Sequence, residues 1–211
     1  MNSKIIVAFA ALIIIIMGCS NDYYTDGGTL EPNVGVLNVS TMDYLRANKA
    51  SFDTLVALIE LTGLESAVNA NGNTFMAVQD YSISNYFELA FVTLDEPPAS
   101  LKEIPQEIMD DIKIIIENYI IPDNEIMRED LSSTYTYATT YGGRKARYNL
   151  FKSDYLGNVN KGAKIINYSL NMSEDGSSND YQSVFVVTSN LESTNGVIHV
   201  LNANSHIFGF N

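Results

Sequence analysis

The chain has 211 residues, with 12 Lys and Arg against 25 Asp and Glu and a formal net charge of −13 at pH 7. A chain this acidic repels phosphate backbones, which excludes non-specific nucleic-acid binding. One cysteine permits no intramolecular disulfide, and two histidines with that one thiol leave little for His- or Cys-based catalysis.

Lys4 is the only charge before Cys19, and Ile5 to Met17 is an unbroken apolar run of 13 residues. A spanning helix needs about 20 such residues, so a basic start and a short apolar core read as a secretory signal. Its end, Ile16-Met17-Gly18-Cys19, resembles the bacterial lipobox, with Met17 where a smaller residue is usual. The resemblance implies a lipoprotein signal peptide over 1–18, acyl chains on Cys19, and a protein anchored in the bacterial cell envelope, at the outer membrane. Residues 19–40, with Asp22, Asp26, Gly27-Gly28, Pro32 and Gly35, read as a flexible tether. The remaining residues, 41–211, amount to one domain.

The front of this domain carries helical patterns. Thr41 is placed to cap a short helix, and Ser51 a longer one in which Phe52, Leu55, Val56, Ile59 and Thr62 recur at helical spacing, with Gly63 as its stop. Thr74 to Val78 reads as a short strand, and Asp80 or Ser82 as the cap of a helix bearing Ile83, Tyr86 and Phe87. Pro105 suits a first helical turn. Ile108, Ile112, Ile115 and Tyr119 then form one apolar stripe.

From Tyr135 onward the pattern is strands and turns. Lys145, Arg147 and Asn149 alternate with Ala146, Tyr148 and Leu150, as on a half-buried strand. Ile165 to Leu170, Tyr181 to Val187 and Val197 to Leu201 read as further strands. Asn195-Gly196 is a turn signal, because both residues tolerate positive φ. Helices first and strands later predict an α+β domain, the helical N-terminal half packed on a strand-rich C-terminal half.

Two stretches carry a family resemblance. Ser51-Phe52-Asp53-Thr54-Leu55, then Gly63-Leu64, then Thr74-Phe75-Met76-Ala77-Val78-Gln79-Asp80-Tyr81-Ser82-Ile83 is similar to the first signature of fasciclin-like domains, with Val78 where that family has proline. A polar segment followed by Asn195-Gly196-Val197-Ile198-His199-Val200 is similar to the second. The resemblance covers about residues 41 to 203 and implies a fasciclin-like fold. Thr74, Met76, Asp80, Tyr119, Asn195, Gly196 and His199 fall on motif positions. Tyr119 matches a Tyr-His pair that is linked to adhesion in animal relatives, but Ile120 replaces the histidine. The resemblance implies a non-enzymatic role in adhesion or in binding a glycan or an envelope protein. An accessory subunit of an outer-membrane nutrient-uptake system is the alternative, and a glycan-acting enzyme ranks third.

No cofactor motif is present: there is no Gly-x-Ser-x-Gly elbow and no phosphate-binding Gly-rich loop. His199, inside an apolar strand, reads as a buried histidine bonded to backbone, and His206 as a poor metal ligand for want of a nearby carboxylate. Glu174 to Asp180 has oxygen ligands without calcium-loop spacing and reads as a solvated loop. One asymmetry stands out. Arg144, Lys145, Arg147, Lys152, Lys161 and Lys164 lie within 21 positions that hold one acid, Asp154, a segment of charge +5 in an acidic chain. Tyr135, Tyr137, Tyr141, Tyr148 and Tyr155 are interleaved with it. Tyr135, Tyr137, Arg144, Lys145, Arg147 and Tyr148 are therefore the candidate ligand-binding residues, toward an acidic glycan or envelope protein; ordinary surface charge on an exposed strand is the plain alternative.

Overall fold

The computed structural model describes residues 35–210, apart from 158, 160 and 174–178. The expected signal peptide, Cys19, most of the expected tether and the centre of the Glu174 to Asp180 loop lie outside the described residues. The end of the tether does not hang free. Gly35 O accepts from Glu192 N, Leu37 N donates to Glu192 O and Thr194 N donates to Val39 O, at 2.8, 2.8 and 2.9 Å. Gly35 to Val39 thus run beside the end of strand β6 (Tyr181–Ser193).

Helix α1 (Thr41–Ala47) is capped by Ser40, whose Oγ accepts from Asp43 N at 3.1 Å. Thr41, the expected cap, is buried, and its N–H is taken by Asn195 Oδ1 at 2.8 Å. Helix α2 (Lys49–Leu61) starts just after Asn48 and ahead of Ser51. It buries Phe52, Leu55, Leu58 and Ile59, and Gly63 follows at φ +72°, the left-handed stop. The short α3 (Glu65–Val68) leads into β1 (Asn73–Ala77), and α4 (Asp80–Ala90) follows. In α5 (Gln106–Glu117) the fully buried residues are Ile112 and Ile116. Ile108 and Ile115 pack at the margin of the core, and Tyr119 lies beyond the helix end. The expected stripe faces the core and is widened by Ile116, because an apolar face on a helix spans more than one i, i+4 row.

The strands are β1, β2 (Ile120–Ile121), β3 (Thr136–Thr139), β4 (Lys145–Lys152), β5 (Lys164–Asn171), β6 (Tyr181–Ser193) and β7 (Gly196–Leu201). They form one sheet in the order β2-β1-β7-β6-β5-β4-β3. β1 and β7 are parallel and every other pair is antiparallel. Every residue of β1 and of β7 is buried, as expected of parallel strands covered on both faces. The α+β content is as the pattern predicts, but the division into a helical and a stranded half is too simple: β1 and β2 come from the front half, and β1 sits inside the sheet. One apolar cluster joins Leu55 and Ile59 of α2, Ile112 of α5, Phe75 of β1, Ile166 of β5 and Ile198 of β7.

Strand β6 continues well past Val187, where the apolar pattern ends. Its register against β7 shifts between Val186 and Thr188 and again before Leu191, and Asn190 stands at φ +59°. Such bulges bend a strand without ending it. The β6–β7 turn is Thr194-Asn195, and neither Asn195 nor Gly196 has positive φ. The physical basis expected for that turn is therefore wrong. Glycine is needed at 196 for space, since a Cβ there would stand 2.2 Å from Asn73 O of β1.

Candidate functional site

The motif residues staple irregular segments to the sheet. Thr74 Oγ1 donates to Asn124 O at 2.6 Å and accepts from Ile126 N at 2.8 Å, holding the loop after β2. Met76 is fully buried, with its N–H on Tyr119 O at 2.9 Å. Asp80 does not cap its own helix: its carboxylate accepts from Thr54 N and Leu55 N of α2, both at 3.0 Å, tying the start of α4 to α2. Asn195 Oδ1 accepts from Thr41 N and from Ser193 Oγ, so the β6–β7 turn fixes the start of α1.

His199 is buried and holds the same loop as Thr74. Its Nε2 donates to Ile126 O at 2.8 Å, and its Nδ1 accepts from Asn190 N at 3.2 Å. Both nitrogens are used by a neutral ring, and burial pulls its pKa down to about 4 against the opposing effects of the Ile126 carbonyl and Glu129. The Asn190 side chain completes the clamp: Oδ1 accepts from Arg128 N at 3.0 Å and Nδ2 donates to Glu129 Oε2. Burial would raise the Glu129 pKa, but hydrogen bonds from Asn190 and Arg128 outweigh it and hold the carboxyl below its ordinary range.

A second buried pair was not visible in the sequence. Tyr119 Oη lies 2.8 Å from His206 Nε2 and accepts from Gly209 N at 2.9 Å. With Gly209 donating, the phenol proton is best used by Nε2, which leaves His206 protonated on Nδ1. Burial holds the His206 pKa down at about 4 and drives that of Tyr119 well up, so both are neutral. Tyr119 thus contacts a histidine 87 positions away, while its neighbour in sequence is Ile120.

The basic segment divides when folded. Arg144, Lys145 and Arg147 stand at the start of β4, while Lys152 and Lys164 face each other at the far end of the β4–β5 pair. Arg147 and Lys152 are five positions apart on the strand, about 17 Å, so the segment is two groups and not one patch. Arg144 Nη1 is engaged with Asn171 O at 3.0 Å. Tyr148 is removed from the candidate surface: it points inward, is buried, and its hydroxyl accepts from Asn124 Nδ2 at 2.9 Å. Alternation along β4 puts Tyr148 on the opposite face from Lys145 and Arg147.

Arg147 is the centre of what remains. Its guanidinium carbon lies 4.1 Å from the Tyr135 ring centroid and 4.0 Å from that of Tyr181, so it is held between two rings. No carboxylate pairs with it among the described residues. Tyr137 is directly opposite Arg147 on β3 and 62% exposed. Farther along the same face, exposed Phe151 and Phe185 pack with ring centroids 5.3 Å apart. The result is an open sheet face with one preorganised cation among aromatic rings. Tyr181 was missed from the sequence because it lies two strands away from Arg147, reached only through the β4–β5–β6 register. Among the described residues, no group of three or more His, Cys, Asp and Glu is placed to hold a metal ion.

No family model and no curated protein matches the chain. Among solved structures it is similar to a FAS1 domain pair from the insect cell adhesion molecule Fasciclin I, at 18% identity and a TM-score of 0.48, over 77% of this chain and 49% of that one. The chain thus spans about half the length of that structure.

Proposed function

We propose that the chain is a lipid-anchored protein of the bacterial envelope, at the outer membrane, whose fasciclin-like domain acts in adhesion by binding an acidic glycan without turning it over. The observation that carries this reading is Arg147 between Tyr135 and Tyr181. A guanidinium fixed by two rings and unpaired with any described carboxylate has lost its side-chain freedom before the ligand arrives; its Nε is buried without a partner, so its two terminal nitrogens are the ones left to meet a carboxylate or sulfate. Tyr137 beside it offers a ring face for a sugar and a wet hydroxyl. The rest of the acidic molecule repels such a polymer and orients its approach to this face.

The test is binding of the purified protein to an acidic and to a neutral polysaccharide across a salt series. Arg147→Gln should weaken acidic-polymer binding about tenfold or more, as expected for a charge-assisted hydrogen-bonded contact. Tyr181→Ala should weaken it through loss of the clamp, at an unchanged melting temperature within a few degrees. Affinity should fall with salt, since exposed charges are screened over about 8 Å at physiological ionic strength. Binding indifferent to salt and to both substitutions would reduce this face to surface decoration. Capture of an envelope protein in place of a polysaccharide would keep the face and change its partner.

A further inference from the structure

A second recess opens where β6 and β7 part. β7 pairs with β6 only from Val186 onward, so Tyr181 to Phe185 has β5 on one side and no strand on the other. The turn Ala203–Ser205 and helix α4 close that side instead, leaving a cleft of about 370 Å³. Asn85 of α4, Gln182 and Ser183 of β6, and Ser205, His206 and Phe210 of the C-terminal segment line it. No acid and no Lys or Arg is in the lining, in a chain of which 18% of residues are charged.

We propose that this cleft binds an uncharged polyhydroxylated ligand, the end of a neutral glycan. The side chains of Asn85, Gln182 and Ser205 make no hydrogen bond to the protein among the described residues, so their donors and acceptors are available. Carboxamides offer two donors and an acceptor each, which matches hydroxyl pairs that give and take in turn. His206 adds a fixed donor: Tyr119 occupies Nε2, and Nδ1 has no protein partner among the described residues. Tyr119 is a positioning residue here, setting the tautomer of a ring it holds from the core side. An anion would find no cation in the lining and a cation no carboxylate, which selects against both. The volume lies at the small end of ligand sites, suited to one or two sugar rings. The site is independent of the Arg147 face and shares none of its salt dependence.

The experiment is a titration of the purified, isotopically labelled protein with D-glucose, D-galactose and N-acetyl-D-glucosamine, with sodium glucuronate as the charged comparator. The side-chain amide signals of Asn85 and Gln182 are the readout. At least one neutral sugar should shift both signals saturably in the millimolar range. Asn85→Ala and Gln182→Ala, at positions that are not buried, should each weaken that binding about tenfold, the loss of one or two hydrogen bonds. Raised salt and Arg147→Gln should leave it unchanged, which separates this site from the acidic-glycan face. Tyr119→Phe should weaken the sugar while leaving acidic-polymer binding intact. No saturable shift with any of the three sugars, saturation unaffected by both alanine variants, or equal binding of glucuronate would each overturn the proposal.

Discussion

Gly196 and Asn73 meet across the parallel β1–β7 pair so closely that a Cβ on the glycine would stand 2.2 Å from the asparagine carbonyl oxygen. The atoms in the way are backbone atoms of a fully buried strand, so they cannot swing aside as a side chain would. Gly196→Ala should therefore cost about 1–3 kcal/mol, the range of an overpacked interior site, and Gly196→Val more. Chemical denaturation of the two variants checks this. An alanine variant as stable as the parent would mean that β1 and β7 can separate at no cost.

The Tyr119 hydroxyl joins His206 and the Gly209 N–H in the core. Tyr119→Phe removes both partners and leaves a buried donor and a buried ring nitrogen without bonds. A loss of about 1–3 kcal/mol is expected. Faster amide exchange at Gly209 should accompany it. Unchanged exchange there would show that the C-terminal segment is held by ring packing alone, of the kind Phe208 and Phe210 make with Tyr119.

Acid should unfold the domain through its histidines. Burial lowers both His199 and His206 from 6.5 to about 4. Between those values the unfolded chain binds protons that the folded chain does not, so stability is full above pH 6.5 and falls as the pH drops toward 4. Each histidine accounts for at most about 3 kcal/mol at the bottom of that window. Thermal melts from pH 7.5 to 4 should show a progressive fall in Tm beginning near 6.5. A Tm that is flat down to pH 5 would contradict neutral burial of these rings.

The proposed anchor makes a separate prediction. Cys19→Ala should abolish labelling by a radioactive or clickable fatty acid and move the protein from the membrane to the soluble fraction. Equal distribution and equal labelling of parent and variant would remove the anchor from the proposal while leaving the domain untouched.

Local pattern was legible in the sequence and distance was not. The apolar spacing of Phe52, Leu55 and Ile59 located α2, Gly63 its end, and the β-branched runs located β5 and β7. Alternation along β4 separates the faces that carry Arg147 and Tyr148 but does not say which face is covered, so the pattern alone offers both as surface residues. Asp80 carried the chemistry of a helix cap, but its carboxylate serves α2, a neighbour that only the tertiary fold brings near. Asn195-Gly196 marked a turn correctly for a reason that did not apply. The need for glycine came from a strand in the other half of the chain. The two relationships from which function is argued, Arg147 with Tyr181 and Tyr119 with His206, link residues far apart in the chain, and no periodicity records such a pairing.

The parallel pairing of β1 with β7 also sets when the domain can fold. Strands that begin at Asn73 and Gly196 are about 120 positions apart, so most of the chain must be present before the buried middle of the sheet can close, and such distant pairings slow folding. A chain emerging from a ribosome would hold β1, every residue of it destined for burial, without its parallel partner until β7 appears. Exposed apolar strands of this kind invite aggregation. The domain thus closes late, with β7 as the segment that commits it.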